Sequence, residues 1–269
     1  MDKQKYFEGI ASYRLLAKHE IGQNFLIDPS ICERIVSCLE AKEGETILEI
    51  GSGAGSLSYF LSLGPAQSDL IDIDDAMVTK LKQDFEGNEF VKPQYGNAAK
   101  WDYSKYDKII GNLPYYITSL ILEMALLRAK NAKRMVFMVQ KEAAERLFSA
   151  VGTKEYGPLP ILLALTYKKT LQFSVSRNAF APAPHVDSTV FVLDSLDADH
   201  ELVNEVYRLA KALFLQRRKT LLNNLRAYCH DGEKAKSAME ECGLALTLRP
   251  EQLTPMQYCA LYSALIRVK

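Results

Sequence analysis

Short β-rich runs alternate with helical stretches from Thr46 to about Leu193, and this alternation constrains the chain more than any other feature. Thr46 to Ile50 reads as a strand, Gly51 to Gly55 as a turn and Ser56 to Leu63 as a helix. Asp69 to Ile73 is a second strand, with a helix over Asp75 to Phe85. Asp107 to Gly111 is a further strand, with a helix after Thr118. Arg134 to Gln140 is another, with a helix from Lys141. Such an alternation predicts an α/β architecture: a mostly parallel sheet with helices on both faces. Ahead of it, Asp28-Pro29 has the form of an N-cap and first-turn proline, opening a helix to about Glu40. Phe173 to Leu193 holds two β-like runs around the proline-rich Ala181 to Pro184.

Beyond the alternation the pattern changes. Asp194 to Glu201 carries four acids and neither lysine nor arginine, which marks a linker. After it, Val206, Leu209, Leu213 and Phe214 recur at helix spacing. Further helices are expected over Glu233 to Cys242 and Pro255 to Arg267. The predicted plan is a catalytic α/β domain over residues 1–195 and a small all-helical domain over 196–269.

Nearly half the 269 residues are hydrophobic and a quarter charged, ample for a core. No apolar run approaches the ~18 residues of a membrane span, and the charged N-terminal stretch does not read as a secretion signal. Five cysteines lack C-x-x-C spacing, and the four histidines do not cluster with them, which predicts reduced thiols, no metal site and a cytoplasmic protein. Formal net charge is zero, so any nucleic-acid contact must come from local patches.

Four segments carry chemistry. Gly51, Gly53 and Gly55 follow a strand directly, and turns of this kind let the backbone approach a nucleoside closely. Position 56 is Ser, so the dinucleotide fingerprint G-x-G-x-x-G is broken; with no proton-transfer residue near the turn, a nicotinamide oxidoreductase is disfavoured. Asp72 ends the next strand, where a carboxylate can accept from ribose hydroxyls, whereas Asp74 reads as a helix cap. Gly96-Asn97-Ala98 lies where a third strand would end. Asn97 can accept from an adenine amino group and donate to a ring nitrogen, although Gly-Asn is also a common turn pair. Asn112-Leu113-Pro114-Tyr115 closes a further strand at the carboxyl edge of the sheet. An exocyclic amine of adenine is a poor nucleophile, because its lone pair is delocalised into the ring. An Asn oxygen and a backbone carbonyl held by the proline can accept the amine's hydrogens and hold its nitrogen in line for attack. The tyrosine offers a flat face to the base, worth about 1–3 kcal/mol.

Together these segments resemble the dimethyladenosine transferases that modify small-subunit ribosomal RNA. The resemblance spans nearly the whole chain. It includes Gly22-Gln23-Asn24-Phe25-Leu26, Ile47 to Ser58, Gln140-Lys141-Glu142 through Arg146-Leu147, Tyr156-Gly157-Pro158-Leu159, Phe180 to Pro184 with Val186-Asp187-Ser188, and Arg217-Arg218-Lys219-Thr220-Leu221 with Asn223. It implies a Rossmann-like class I methyltransferase using S-adenosylmethionine, releasing S-adenosylhomocysteine and needing no metal. Asn24 and Leu26, with Gln23, would meet the methionine end of that cofactor. Gly51, Gly53 and Asn112 would line its path, Asp72 with Ile73 would bind the ribose, and Asn97 with Ala98 the adenine. Asn112, Leu113, Pro114 and Tyr115 would hold the target adenine, extruded from its stack, with Phe180 as the second stacking face. The family usually has Asp at position 97 and Glu at position 72.

The implied substrate is the small ribosomal subunit or its RNA, dimethylated at N6 of two adjacent adenines and bound by a monomer. The related resistance enzymes of large-subunit RNA tend to carry Ile at position 113 and to lack the Arg217 to Thr220 run. An assembly factor with secondary methylation is the reading from another class. RNA contact is expected at Arg217, Arg218 and Lys219, within a basic stretch that includes Arg208, Lys211 and Arg226. A second stretch runs from Arg128 to Arg146 through Lys130, Lys133, Arg134 and Lys141. Helix spacing to Leu213, Phe214 and Leu221 predicts that one of Arg217 and Arg218 is a partly buried structural ion.

Overall fold

A computed structural model describes residues 2–13 and 23–267; Gly22 of the expected cofactor motif lies outside them. Helix α1 (Lys3–Ser12) is capped by Asp2, which accepts from Lys5 N at 2.8 Å. Strand β1 (Phe25–Leu26) leads to α2 (Pro29–Ser37), where Asp28 caps the first turn and proline occupies it as expected. The Ser30 hydroxyl holds the Asp28 carboxyl below the usual carboxylate range.

The alternation then unfolds as β2 (Thr46–Ile50), α3 (Ser58–Leu61), β3 (Gln67–Asp72), α4 (Asp75–Asp84), β4 (Val91–Tyr95), β5 (Lys108–Asn112), α5 (Thr118–Arg128), β6 (Arg134–Gln140) and α6 (Lys141–Leu147). Helix α7 (Pro158–Thr166), β7 (Tyr167–Val175), β8 (Phe180–Ala181) and β9 (Ser188–Ser195) follow. The last elements are α8 (His200–Phe214), α9 (Leu221–Cys229), α10 (Gly232–Glu241) and α11 (Pro255–Arg267).

Seven strands form one sheet in the order β4-β3-β2-β5-β6-β9-β7, and β1 pairs with β8 separately. Strands β4, β3, β2, β5 and β6 run parallel, while β9 is antiparallel to β6. Strands β5 and β6 are buried along almost their whole length, the pattern of strands covered on both faces. From β2 the chain winds outward through β3 and β4, then returns to β5 and winds the other way. The strand order therefore reverses between β2 and β5, and open α/β sheets bind ligands in the crevice at such a point.

The chain divides into two compact units, Met1–Ala144 with Lys169–Ser195, and Glu145–Lys168 with Leu196–Lys269. The stretch Glu145–Lys168, expected in the α/β part, thus goes with the helices. The reason is α7, Pro-Leu-Pro-Ile-Leu-Leu-Ala-Leu-Thr, which is apolar nearly all round and so must be covered. Its Ile161 shares a core with Val206, Leu209 and Leu213 of α8 and with Tyr258 and Leu261 of α11. The acidic stretch expected as a linker ends in structure: Asp199 caps α8, accepting from Glu201 N and Leu202 N.

A candidate adenine-methylating site at the sheet edge

The β2–β5 crevice holds a cavity lined by Gln23 to Leu26, Ile50 to Ala54, Asp72, Ile73, Asn97, Ala98 and Asn112 to Tyr116, among others. Each wall follows from local chemistry. The turn after β2 begins at Gly51, whose φ of 70° favours glycine. A Cβ there would sit 3.6 Å from both Asn112 O and Pro114 Cδ, so the glycine turn and the Asn-Leu-Pro-Tyr segment face each other closely.

Asp72, at the end of β3, is only 8% exposed. Its Oδ2 accepts from Gly53 N and its Oδ1 from Asp74 N, both at 2.8 Å. These backbone bonds fix the carboxylate. Burial raises its pKa despite the backbone N–H groups of Asp74, Gly53 and Ile73, which lower it. Asp74 caps α4, as expected, and its other oxygen accepts from Gln23 Nε2 at 2.9 Å. That bond joins the N-terminal segment to the β3 end.

Glu49 lies behind the glycine turn, 1% exposed, with Ser58 Oγ donating to its Oε2 at 2.6 Å. Burial pushes its carboxyl up to about 8. The group is therefore mainly protonated at neutral pH.

Asn97 follows β4 and lines the cavity. Its Oδ1 accepts from Ala99 N at 2.9 Å, closing an Asx turn. The amide NH2 and the second lone pair of Oδ1 remain for a ligand. An Asp at this position would make the same turn and keep a second oxygen.

Asn112 Nδ2 donates to Asn24 O at 3.3 Å, leaving its Oδ1 as an acceptor. Leu113 N donates to Met138 O, and the Pro114 carbonyl accepts from Ile117 N and Thr118 Oγ1. The Leu113–Pro114 backbone at the middle of the tetrapeptide is thereby fixed. Burial raises the Tyr115 phenol, and its hydroxyl lies 3.5 Å from Ser188 Oγ.

All the expected cofactor and adenine residues line this one cavity, except Phe180. Phe180 pairs with Leu26 in the β1–β8 ribbon and is 3% exposed within the core beneath. In this structure it offers no stacking face to Tyr115. The described residues contain no cluster of metal-ligating side chains. The donor set fits a nucleoside instead: a fixed carboxylate for a diol, an apolar Ile73 and amide groups at the rim.

Tyr6 and Lys80 carry no signal in the sequence, and Phe25 and Ser188 stand there only within motifs, without a role of their own. Phe25 lines the cavity, and a Cβ on Gly53 would lie 3.3 Å from its ring. Ser188 meets Tyr115. From α1, the Tyr6 hydroxyl lies 3.5 Å from the Ala54 and Gly55 carbonyls. Lys80 Nζ donates to Ala54 O at 2.9 Å, pairs with Asp84 and sits 4.8 Å from the Tyr6 ring. A Cβ on Gly55 would fall 2.3 Å from the Tyr6 hydroxyl and 2.7 Å from Leu81 Cδ2, at a φ of 94°. The tyrosine thus fills the space a side chain would need.

A family model described as ribosomal RNA adenine dimethylase matches residues 14–267. The chain belongs to this family. It is an adenine dimethyltransferase of ribosomal RNA, with the fold and the sheet-edge cavity described above. The ribosomal RNA small subunit methyltransferase A of Lactobacillus helveticus is 34% identical, over 93% of this chain and 91% of that one. Its namesake in Syntrophus aciditrophicus is 35% identical, over 94% and 97%. Among solved structures, a dimethyladenosine transferase from Plasmodium falciparum superimposes with a TM-score of 0.72 at 26% identity, over 87% of this chain and 94% of that one. The 23S rRNA methyltransferase ErmE shares the fold, with a TM-score of 0.66 at 21% identity, over 90% and 100%.

The basic residues separate by environment. Arg134 pairs with Asp194 at 2.7 Å and with Glu40, so it is a structural ion and not an open phosphate ligand. Arg217 donates to Thr153 O at 2.8 Å and to Lys154 O, and lies 3.7 Å from Glu251. It is the partly buried ion that the helix spacing predicts, which corrects its expected place among the RNA contacts. Arg218 and Lys219 are exposed. All five cysteines are free thiols. No helix among the described residues is long and apolar enough to cross a membrane.

Proposed function

We propose that the chain transfers two methyl groups from S-adenosylmethionine to the N6 amine of each of two adjacent adenines in small-subunit ribosomal RNA. One observation carries this reading: the glycine turn with Asp72 and the Asn112–Tyr115 segment line a single cavity, so the residues for methyl donor and methyl acceptor meet in one place. Relatives named for the small subunit, alike over nine-tenths of the chain, support the choice of RNA.

S-adenosylmethionine supplies an electrophilic methyl group on a sulfonium. Asp72 would accept from the ribose hydroxyls. The Asn97 amide would donate to the adenine ring, and Gln23, Asn24 and Leu26 would enclose the methionine end. Asn112 Oδ1 and the Leu113 carbonyl accept the two hydrogens of the target amine, which localises the lone pair on nitrogen and aims it. Tyr115 stacks on the base as a neutral phenol. No residue acts as a strong base, since the proton leaves after the C–N bond forms, and rate comes mainly from positioning. Phe180 completes the stack only if its side chain turns out of the core. Arg218 and Lys219 supply phosphate contacts. The protein acts as a cytoplasmic monomer.

The test is incubation with labelled S-adenosylmethionine and unmethylated small subunits or their free RNA, followed by nucleoside analysis. Dimethyladenosine at two adjacent positions is expected. Its absence from small-subunit RNA, or its presence in large-subunit RNA instead, would overturn the assignment.

A further inference from the structure

The turn between α8 and α9 carries an apolar residue where the fold does not need one. Leu215 is 84% exposed, the most open of the large hydrophobic side chains among the described residues. It caps α8 in helical backbone, and two tight turns follow each other there, Leu215 N to Ala212 O and Lys219 N to Gln216 O. Arg218 and Lys219 follow Leu215 by three and four residues across these turns. Gln216, Arg218 and Lys219 are exposed as well.

The turn is held from behind. Arg217 points inward to the Thr153 and Lys154 carbonyls, Asn224 Nδ2 donates to Gln216 O at 3.2 Å, and Leu221 N donates to Leu248 O at 2.6 Å. A floppy loop could fold its leucine back against the protein. This one is braced with the leucine outward.

We infer that Leu215 is a docking residue for ribosomal RNA: it packs on the ribose and base-edge surface of a helical minor groove, while Arg218 and Lys219 hold the flanking phosphates. The inference rests on the reading of Arg218 and Lys219 as RNA contacts. Charge complementarity selects the occupant, because two cations beside one apolar tip suit a polyanion that also presents sugar faces. An A-form helix exposes those faces in a groove wide and shallow enough for a short turn. Burying the leucine adds affinity without adding charge, so it strengthens binding independently of salt.

The experiment measures the affinity of the full chain for a small-subunit RNA transcript, and for whole small subunits, at several salt concentrations. Leu215→Ala is expected to weaken binding to both about tenfold, with the salt slope unchanged. Leu215→Met is expected to restore it. Melting temperature and cofactor binding stay at wild-type values, since the side chain is exposed and lies outside the cavity. Arg218→Ala is expected to lower the salt slope by about one. Wild-type affinity of Leu215→Ala, alongside a reduced slope for Arg218→Ala, overturns the inference and keeps the RNA reading of the turn. Weakening only on whole subunits assigns Leu215 to a ribosomal protein and also overturns it. No effect of either change overturns the reading of the turn itself.

Discussion

At the sheet edge the polar side chains face inward and are already bonded. Asp72 takes two backbone N–H groups, Asn97 closes a turn and Asn112 holds Asn24. In the turn after α8, only Arg217 faces inward, and its neighbours Arg218 and Lys219 stand in solvent. The first region shapes a site by fixing each group before anything binds. The second uses one bonded cation as a bracket for others that are free to meet phosphate. Residues of the same type therefore do different work, decided by which way the backbone turns them.

The sharpest test of the fixed region is Asn112→Ala. It should lower the methylation rate about a thousandfold while cofactor binding, followed by calorimetry, survives. Retained activity would mean that the amine is not held as described.

Gly55→Ala comes next. Left-handed backbone and the clash with Tyr6 and Leu81 should cost about 4 kcal/mol in urea unfolding. Adding Tyr6→Ala should recover part of that loss, and strict additivity of the two changes would deny their contact.

Glu49→Gln is expected to remove a pH dependence. The folded protein keeps the Glu49 proton up to about 8, whereas an exposed glutamate loses it near 4.5. Between those values the folded state binds more protons, so stability must fall as pH rises and level off above 8. The wild type should lose about 3 kcal/mol between pH 5 and pH 8 at this group, and the variant should show a flatter profile.

The smallest effect separates the two arginines. Arg217→Ala should cost about 2 kcal/mol of stability, because two carbonyls and the Glu251 carboxylate lose their partner, and it should leave the salt slope of RNA binding unchanged. Arg218→Ala should do the reverse. Equal behaviour of the two would erase the contrast.

The sequence made the sheet edge readable because its determinants are local. A strand, a glycine turn and an acid at the next strand end lie within some twenty residues and need no distant partner to make sense. The Asn112 tetrapeptide is legible for the same reason. Phe180 was not, because its motif is local but its burial is set by pairing with Leu26, far away in the chain. Glu145–Lys168 was assigned to the α/β part because strands flank it in sequence, whereas its allegiance follows from an all-round apolar helix that only α8 and its neighbours cover. Tyr6 and Lys80 gave no signal, since neither sits in a pattern that names Gly55 as its target.

That last contact bears on how such an enzyme can change over time. Positions 6 and 55 fill one volume between them. A side chain at 55 needs a smaller residue at 6 and room beside Leu81, and it still carries the strain of the left-handed backbone; the intermediate with neither leaves a void behind the turn. Drift in the first helix is therefore tied to drift in the turn, and a library that varies the two separately will sample mostly non-functional chains.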